Sequence, residues 1–476
     1  MTDPSAENRR RAPLVHPGHP ESHLPIVETP DAPSGRASRL AIGLMLVLGI
    51  AGALLAHVFE ATAANAGVAP VVSATWILPF ALLLGSIAAM PFIARHFWER
   101  NYPWVSIGLA GVVAAYYLLA VPDGYRWLSK SMGEYISFIC LLGSLFIVSG
   151  GILIRVRRRA TPGVNVGLLL AGAILANVVG TTGASMLLIR PFLRINKGHI
   201  RPFHVVFFIF VVSNLGGALT PIGDPPLFLG YLKGVPFWWV LEHCWPMWCV
   251  ANGSLLAVFF VADTLAQRKQ QRADPDAADA GPAVSVFGAA NGVFLAMILA
   301  GVFMPSPYRE GMMVLSACGS LWSTQRRIHV ENVFNFAPIR EVALLFVGIF
   351  GTMVPALNFL ERHAGDGAMK EFLSSPGAYY FACGGLSSVL DNAPTYMTFY
   401  QVHGGGLDLQ LVAMSLGSVF FGAMTYIGNG PNFMVKSIAD HAGVKTPSFF
   451  GYVARFALPV LLPVLILVWG LFLRNR

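Results

Sequence analysis

Thr220-Pro221-Ile222-Gly223-Asp224-Pro225-Pro226-Leu227-Phe228-Leu229 has a second copy, Thr425-Tyr426-Ile427-Gly428-Asn429-Gly430-Pro431-Asn432-Phe433-Met434. The two stretches lie 205 residues apart, and five of their ten columns are identical. Each ends a long apolar run with glycine and proline, so each breaks a helix at membrane depth. Lipid offers no hydrogen bonds to the backbone groups that a break frees. Such backbone persists only where it is buried in protein or lines a cavity. Paired broken helices in two halves of a chain mark a transporter's binding region.

The composition fixes the class. Hydrophobic residues make up 55% of the 476, charged residues 12%, and the mean hydropathy is +0.62. Many apolar runs are about 18 to 24 residues long, enough to cross hydrocarbon as helix. The net charge of +8 comes from basic residues clustered between those runs, which is a membrane pattern and gives no reason to expect a nucleic-acid partner. Cys140, Cys244, Cys249, Cys318 and Cys383 lie in or beside apolar segments without a metal-binding spacing and read as small packing residues. Residues 1–37 are polar and read as a disordered cytoplasmic tail. Leu40 to Phe59 is too long for a signal-peptide core and reads as a retained first span.

Spans are expected near 38–59, 73–94, 103–121, 134–154 and 242–263 in a first half covering 38–263. A hydrophilic cytoplasmic linker follows at 264–284. The second half, 285–476, has spans near 285–305, 309–323, 341–360 and 450–473. Interrupted segments are expected at 165–190 and 378–402, and broken helices at 202–232 and 410–438.

Basic residues set the orientation. The tail carries Arg9, Arg10, Arg11 and Arg36. Arg95 and Arg100 follow the second span, and Arg155, Arg157, Arg158 and Arg159 follow the fourth. These fall on one side if each run crosses once, which places the N-terminus in the cytoplasm. Segment 165–190 begins and ends on that side, with Arg190, Arg194, Lys197 and Arg201 after it. It therefore reads as a re-entrant hairpin, with these basic residues as anchors. Segment 378–402 has few basic neighbours and should enter from outside. The expected fold is an all-α polytopic membrane protein of two inverted repeats, each with a re-entrant helical hairpin and a broken transmembrane helix. The hairpin tips, Val179-Gly180-Thr181-Thr182 and Leu390-Asp391-Asn392-Ala393, are 211 residues apart and agree in order with the paired breaks.

Two acids stand at these interruptions. Asp224 is at the first break and Asp391 at the second tip. Charge within a span is costly and is a functional hypothesis by default. A capping role is the plain alternative, since Asp before Pro225 suits a helix start. Around them lie the oxygen donors Thr181, Thr182, Ser185, Asn214, Thr220, Asn392, Thr395, Thr425, Asn429 and Asn432. Hard oxygens of this kind suit Na⁺, with Asp391, Asn392 and Asp224 as candidate ligands. Two local clusters are expected, Thr181/Thr182 with Thr220/Asp224 and Asp391/Asn392 with Thr425/Asn429. No Walker motif, HExxH motif or nucleophile elbow is present, so neither ATP-driven transport nor an enzyme has sequence support, and no cofactor is expected.

Ser213-Asn214-Leu215-Gly216-Gly217-Ala218-Leu219-Thr220-Pro221-Ile222-Gly223-Asp224-Pro225 resembles the signature of the ion transporter superfamily. Val389-Leu390-Asp391-Asn392-Ala393-Pro394-Thr395 resembles its second hairpin motif. The resemblance covers about residues 70–473. Gly-Asp-Pro combined with Leu-Asp-Asn-x-Pro-Thr looks most like the D-type sodium/proton antiporters and a related set of citrate transporters. It implies an ion site at each junction of hairpin and broken helix, and a homodimer. Two departures matter. The Ser-Asn-Thr motif of the dicarboxylate carriers is absent, and the first tip has Gly180 opposite Asp391.

The reading is a secondary transporter of the bacterial inner membrane exchanging Na⁺ or Li⁺ for protons, with Asp391 and Asp224 as titrating carboxylates. Its alternatives are cation- or proton-coupled uptake of citrate or another carboxylate, and a non-transporting membrane sensor or scaffold. Its partners are the transported ion or carboxylate and the lipid bilayer.

Overall fold

The structure is a computed structural model that describes residues 35–63, 69–156, 160–268, 284–332, 334–363 and 371–474. Most of the expected tail, Arg157 to Arg159 and the linker from 269 to 283 lie outside the described residues. Residues 35–37, expected in the tail, are helical. The membrane body runs from Ile42 onward. It is almost wholly helical, and among the described residues eight helices are long and apolar enough to cross a membrane.

Helix α1 crosses over Ile42–Ala63. It is followed by α2 (Leu78–Ile93), α3 (Arg95–Ala120) and α4 (Gly124–Gly150). Arg95 and Arg100 lie inside α3, because only Ala94 separates it from α2. Helix α4 starts ten residues before the expected 134, since the polar turn around Arg126 and Lys130 is helical too. A short strand, β1 (Leu153–Val156), then pairs antiparallel with β2 (Val284–Phe287), Leu153 opposite Phe287. That pairing takes the start of the expected span 285–305. The helix there, α9, covers only Asn291–Val302. Asn291 and Asn332 hold the corner by donating to the carbonyls of Gly151 and Gly150 at 2.8 and 2.9 Å.

Segment α5 (Pro162–Ile195) begins with Thr161 accepting from the Val164 amide and Pro162 in the first turn, a standard helix start. Its helix is interrupted at Gly180, whose φ of 78° favours glycine. The chain folds back there. Asn165 and Asn196 exchange side-chain hydrogen bonds of 2.9 and 2.8 Å across 31 residues. A straight helix would hold them ~46 Å apart. The second interrupted segment repeats the device. Ser375 caps Pro376–Ser387, and the return arm is Asn392–His403. Tyr379 near its start stacks edge-on against His403 at its end, with centroids 5.5 Å apart.

Each hairpin is followed by a helix in two pieces. The first pair is α6 (Pro202–Val211) and α7 (Pro225–Leu232); the second is Leu409–Phe421 and Gly430–His441. Helix α8 (Trp239–Arg268) closes the first half. In the second half α10 (Tyr308–Ser323), α11 (Arg326–Glu331) and α12 (Ala337–His363) precede the hairpin, and a final helix spans Phe449–Leu473. The hairpin bases lie at opposite ends of that final helix. Arg455 near its start shares a groove with Arg201 and Ala266, while Trp469 near its end packs against Phe381 and Gly377. Helices α3, α4 and α12 pack on one another. Tyr117 accepts from Asn358 at 2.9 Å, Ser131 donates to the Phe350 carbonyl at 2.6 Å, and Phe138 stacks on Phe346.

Candidate functional site

The two breaks share one local design. Thr220 donates to the Asn177 carbonyl at 2.6 Å and accepts from the Gly223 amide at 3.1 Å. Thr425 does the same with the Ser388 carbonyl at 2.6 Å and the Gly428 amide at 3.1 Å. Each threonine thus ties its break to the tip of the hairpin before it. Glycines make the fold-over possible. A Cβ on Gly223 would meet the Gly217 carbonyl oxygen at 2.1 Å, and one on Gly428 would meet that of Gly422 at 2.6 Å. Only residues without a side chain allow backbone that close.

The residues after these glycines are Asp224 and Asn429, both extended, with φ, ψ of −145°, 146° and −153°, 139°. Each precedes a half-helix, and neither side chain caps it. For Asp224 the reason is direct. Pro225 and Pro226 occupy the first two helical positions and have no N–H to offer, and the Leu227 amide at the third bonds to the Asp224 backbone carbonyl at 3.1 Å. The carboxylate turns into the protein instead and is 1% exposed. Its Oδ1 accepts from Thr181 Oγ1 at 2.8 Å and from Asn429 Nδ2 at 3.0 Å. Its Oδ2 accepts from Asn392 Nδ2. The ring therefore draws on the first tip, the second tip and the second break. The two expected clusters are one: Asn392 reaches across to the first half's acid, and Asn429 meets its own counterpart 205 residues away.

Asp391 behaves differently. Its Oδ1 accepts from the Ala393 amide at 3.1 Å, so it caps the return arm, and its carbonyl accepts from Thr395 at 2.9 Å. Capping, the plain alternative for each acid, is met at Asp391 and not at Asp224. The remaining expected residues fall close by. Ser185 pairs with Ser213 at 2.8 Å. Asn214 donates to Asn432 Oδ1 at 2.6 Å, joining the two broken helices, and Asn432 donates to the carbonyls of Gly422 and Thr425 at 2.9 Å. Thr182 lines a small cleft with Thr181, Asp224 and the α4 residues Phe138, Leu141 and Leu145. Two acceptor oxygens in this region, Asn392 Oδ1 and Asn214 Oδ1, are buried without a hydrogen-bond partner among the described residues. Among the described residues neither Arg190 nor Arg194, expected as anchors, hydrogen-bonds to the Asp224 carboxylate, whose partners are Thr181, Asn392 and Asn429.

Asn177 escaped the sequence reading. It accepts from the Leu219 amide at 2.9 Å and donates to the Gly216 carbonyl at 2.7 Å, so one side chain satisfies much of the first break. Trp248 of α8 donates to the same Gly216 oxygen at 2.9 Å. The signal was available in part: an asparagine two residues before an apolar tip demands partners.

A family profile described as "Putative citrate transport" matches residues 69–473. The chain is also similar to an uncharacterized transporter of Mycobacterium bovis and to one of Mycobacterium tuberculosis. Each is 26% identical over 329 residues, covering 64% of this chain and 74% of the relative. With the profile spanning the membrane body from before α2 to the end of the final helix, this chain belongs to that citrate-transport family and is a multi-pass membrane transporter.

Proposed function

We propose that the protein exchanges Na⁺ (or Li⁺) for protons across the cell membrane, with Asp224 as the group that holds either ion. One observation carries the reading. Asp224 is a buried carboxylate whose hydrogen-bond partners are all neutral, Thr181, Asn392 and Asn429, with no Lys, Arg or His among them. A charge desolvated in this way is compensated by a proton or a bound cation. Either satisfies the same oxygens, so binding one displaces the other.

The neighbours suit both states. When Asp224 is ionised and holds Na⁺, the Thr181 hydroxyl and the amide oxygen of Asn392 supply hard donors. When it is protonated, its O–H needs an acceptor, and the unpartnered Asn392 Oδ1 is an amide half-turn away. Asp391 lends negative charge from its cap position. Exchange follows if the site opens to one side at a time. The hairpin bases at opposite ends of the final helix support an inverted-repeat scaffold for that motion, and the basic residues of the tail and loops favour a cytoplasmic N-terminus.

A second reading is cation- or proton-coupled uptake of citrate or another carboxylate. The family description favours it, as does the meeting of four helix starts, at Thr181, Pro225, Asn392 and Gly430, whose dipoles attract anions. Proteoliposome flux with Na⁺, Li⁺ and citrate offered separately under an imposed pH gradient separates the two. Proton-coupled Na⁺ movement without citrate supports antiport. Flux that requires citrate overturns it.

A further inference from the structure

A groove with about 310 Å³ of space lies between α6, α8 and the final helix, away from Asp224. Phe203, Phe207, Leu265 and Val460 form its walls, and Arg201 and Arg455 stand in it. We propose that this groove binds one phospholipid with an anionic headgroup, the two guanidiniums taking the phosphate and the apolar walls an acyl chain.

Position comes first. Arg201 immediately precedes α6, Arg455 lies near the start of the final helix, and Ala266 is two residues from the end of α8. Three helix ends meet at one level, which is where a membrane changes from hydrocarbon to headgroup. Arg201 Nη2 donates to the Ala266 carbonyl at 3.4 Å, which holds its guanidinium at the groove. Arg455 is exposed. Leu265 is 54% and Val258 42% exposed, so the wall continues into the lipid-facing surface.

Charge comes second. Asp263, on α8 three residues before Ala266, is engaged elsewhere. It faces His204 at 3.3 Å and accepts from Asn165 at 2.8 Å and Gln267 at 3.2 Å. Among the described residues no ion pair engages Arg201 or Arg455. Two guanidiniums with no ion pair among the described residues, above an apolar groove, match a phosphodiester above an acyl chain, and basic pockets between transmembrane helices bind anionic headgroups in this way. A second protein copy would have to bring carboxylates to an otherwise apolar lipid-facing surface. The neighbouring clasp of Asn165, Asn196, His204 and Asp263 holds the base of the first hairpin, so a bound lipid braces that base.

The test uses the full chain. The purified protein is offered equal phosphatidylglycerol and phosphatidylcholine, lipid retention is read by native mass spectrometry, and thermal unfolding is followed in each lipid. Wild type should retain phosphatidylglycerol preferentially and unfold at a higher temperature with it. Arg455→Glu should reduce that retention by about fivefold or more, from about 1 kcal/mol per basic residue near the surface. Its midpoint in phosphatidylcholine should stay unchanged. Val460→Trp, which fills the groove, should reduce retention without a charge change. Three results overturn the proposal. They are wild-type retention in both variants, inorganic phosphate alone reproducing the stabilisation, and Arg455→Glu shifting the monomer–dimer balance in phosphatidylcholine alone, which would make the groove a contact between copies.

Discussion

The breaks at Thr220–Asp224 and Thr425–Asn429 share a backbone and differ in one functional group. Threonine bridging, glycine fold-over and extended φ, ψ at the residue before the half-helix recur in both. At that last residue one copy carries a carboxylate and the other an amide, and the two side chains touch at 3.0 Å. The backbone design is thus a general way to stop a helix inside a membrane. The two copies differ there by a single oxygen-for-nitrogen exchange, which under the proposed exchange predicts one central ion in place of two equivalent ones.

Exchanging that group gives the largest expected effect. Asp224→Asn keeps the shape and removes the charge, so Na⁺/H⁺ exchange in proteoliposomes should fall to background while the protein still inserts and folds. Asn429→Asp sets a second carboxylate against the first, and like charges that close do not both ionise. It should therefore lose exchange at neutral pH. The double variant Asp224→Asn/Asn429→Asp moves the single charge to the other break, against the side chain to which Thr181 and Asn392 donate. It should recover exchange above the Asp224→Asn background. A silent double variant would show that the two breaks are equivalent in backbone only.

Glycine closeness comes next. Gly223→Ala forces a methyl against backbone at 2.1 Å and Gly428→Ala at 2.6 Å, with no flexible side chain to yield at the first contact. Overpacking of this kind costs about 1–3 kcal/mol. Both variants should unfold at lower temperature, Gly223→Ala the more so. Thr220→Val and Thr425→Val should each lose about 1–3 kcal/mol by leaving the Asn177 or Ser388 carbonyl short of a partner. Similar losses in the two would confirm equal roles, and a large difference would show that one tip is held by other contacts.

Much of this was legible because glycine and proline punctuate apolar runs. The interruptions near Gly180 and Asp391 and the breaks near Asp224 and Asn429 stand out without any partner in view. The merging of the two sites did not. Asn392 belongs by sequence to the second tip, and nothing local says that its amide crosses to Asp224. The same holds for the Asn165–Asn196 clasp, whose members read singly as polar residues at helix ends. The β1–β2 pair was hidden for a related reason. Val284-Ser285-Val286-Phe287 continues into the apolar run of α9, and only the approach of Leu153–Val156 draws it into a strand.

The smallest expected effect belongs to Asp391, and it sharpens the comparison most. In sequence Asp391 and Asp224 looked like a pair of titrating acids. In the structure Asp391 Oδ1 accepts from the Ala393 amide at 3.1 Å and caps the return arm, whereas Asp224 caps nothing. Asparagine caps nearly as well as aspartate, and losing the cap altogether costs ~1 kcal/mol. Asp391→Asn should therefore leave thermal stability almost unchanged, and Asp391→Ala should lower it by ~1 kcal/mol. Exchange is the telling measurement. If Asp391 only supports the field at Asp224, Asp391→Asn transports with weakened Na⁺ affinity and a maximal rate far closer to wild type than to Asp224→Asn. If Asp391 holds the exchanged ion, the variant is as silent as Asp224→Asn, and the single-carboxylate account fails at the residue where the hairpin tip and the break most nearly share a charge.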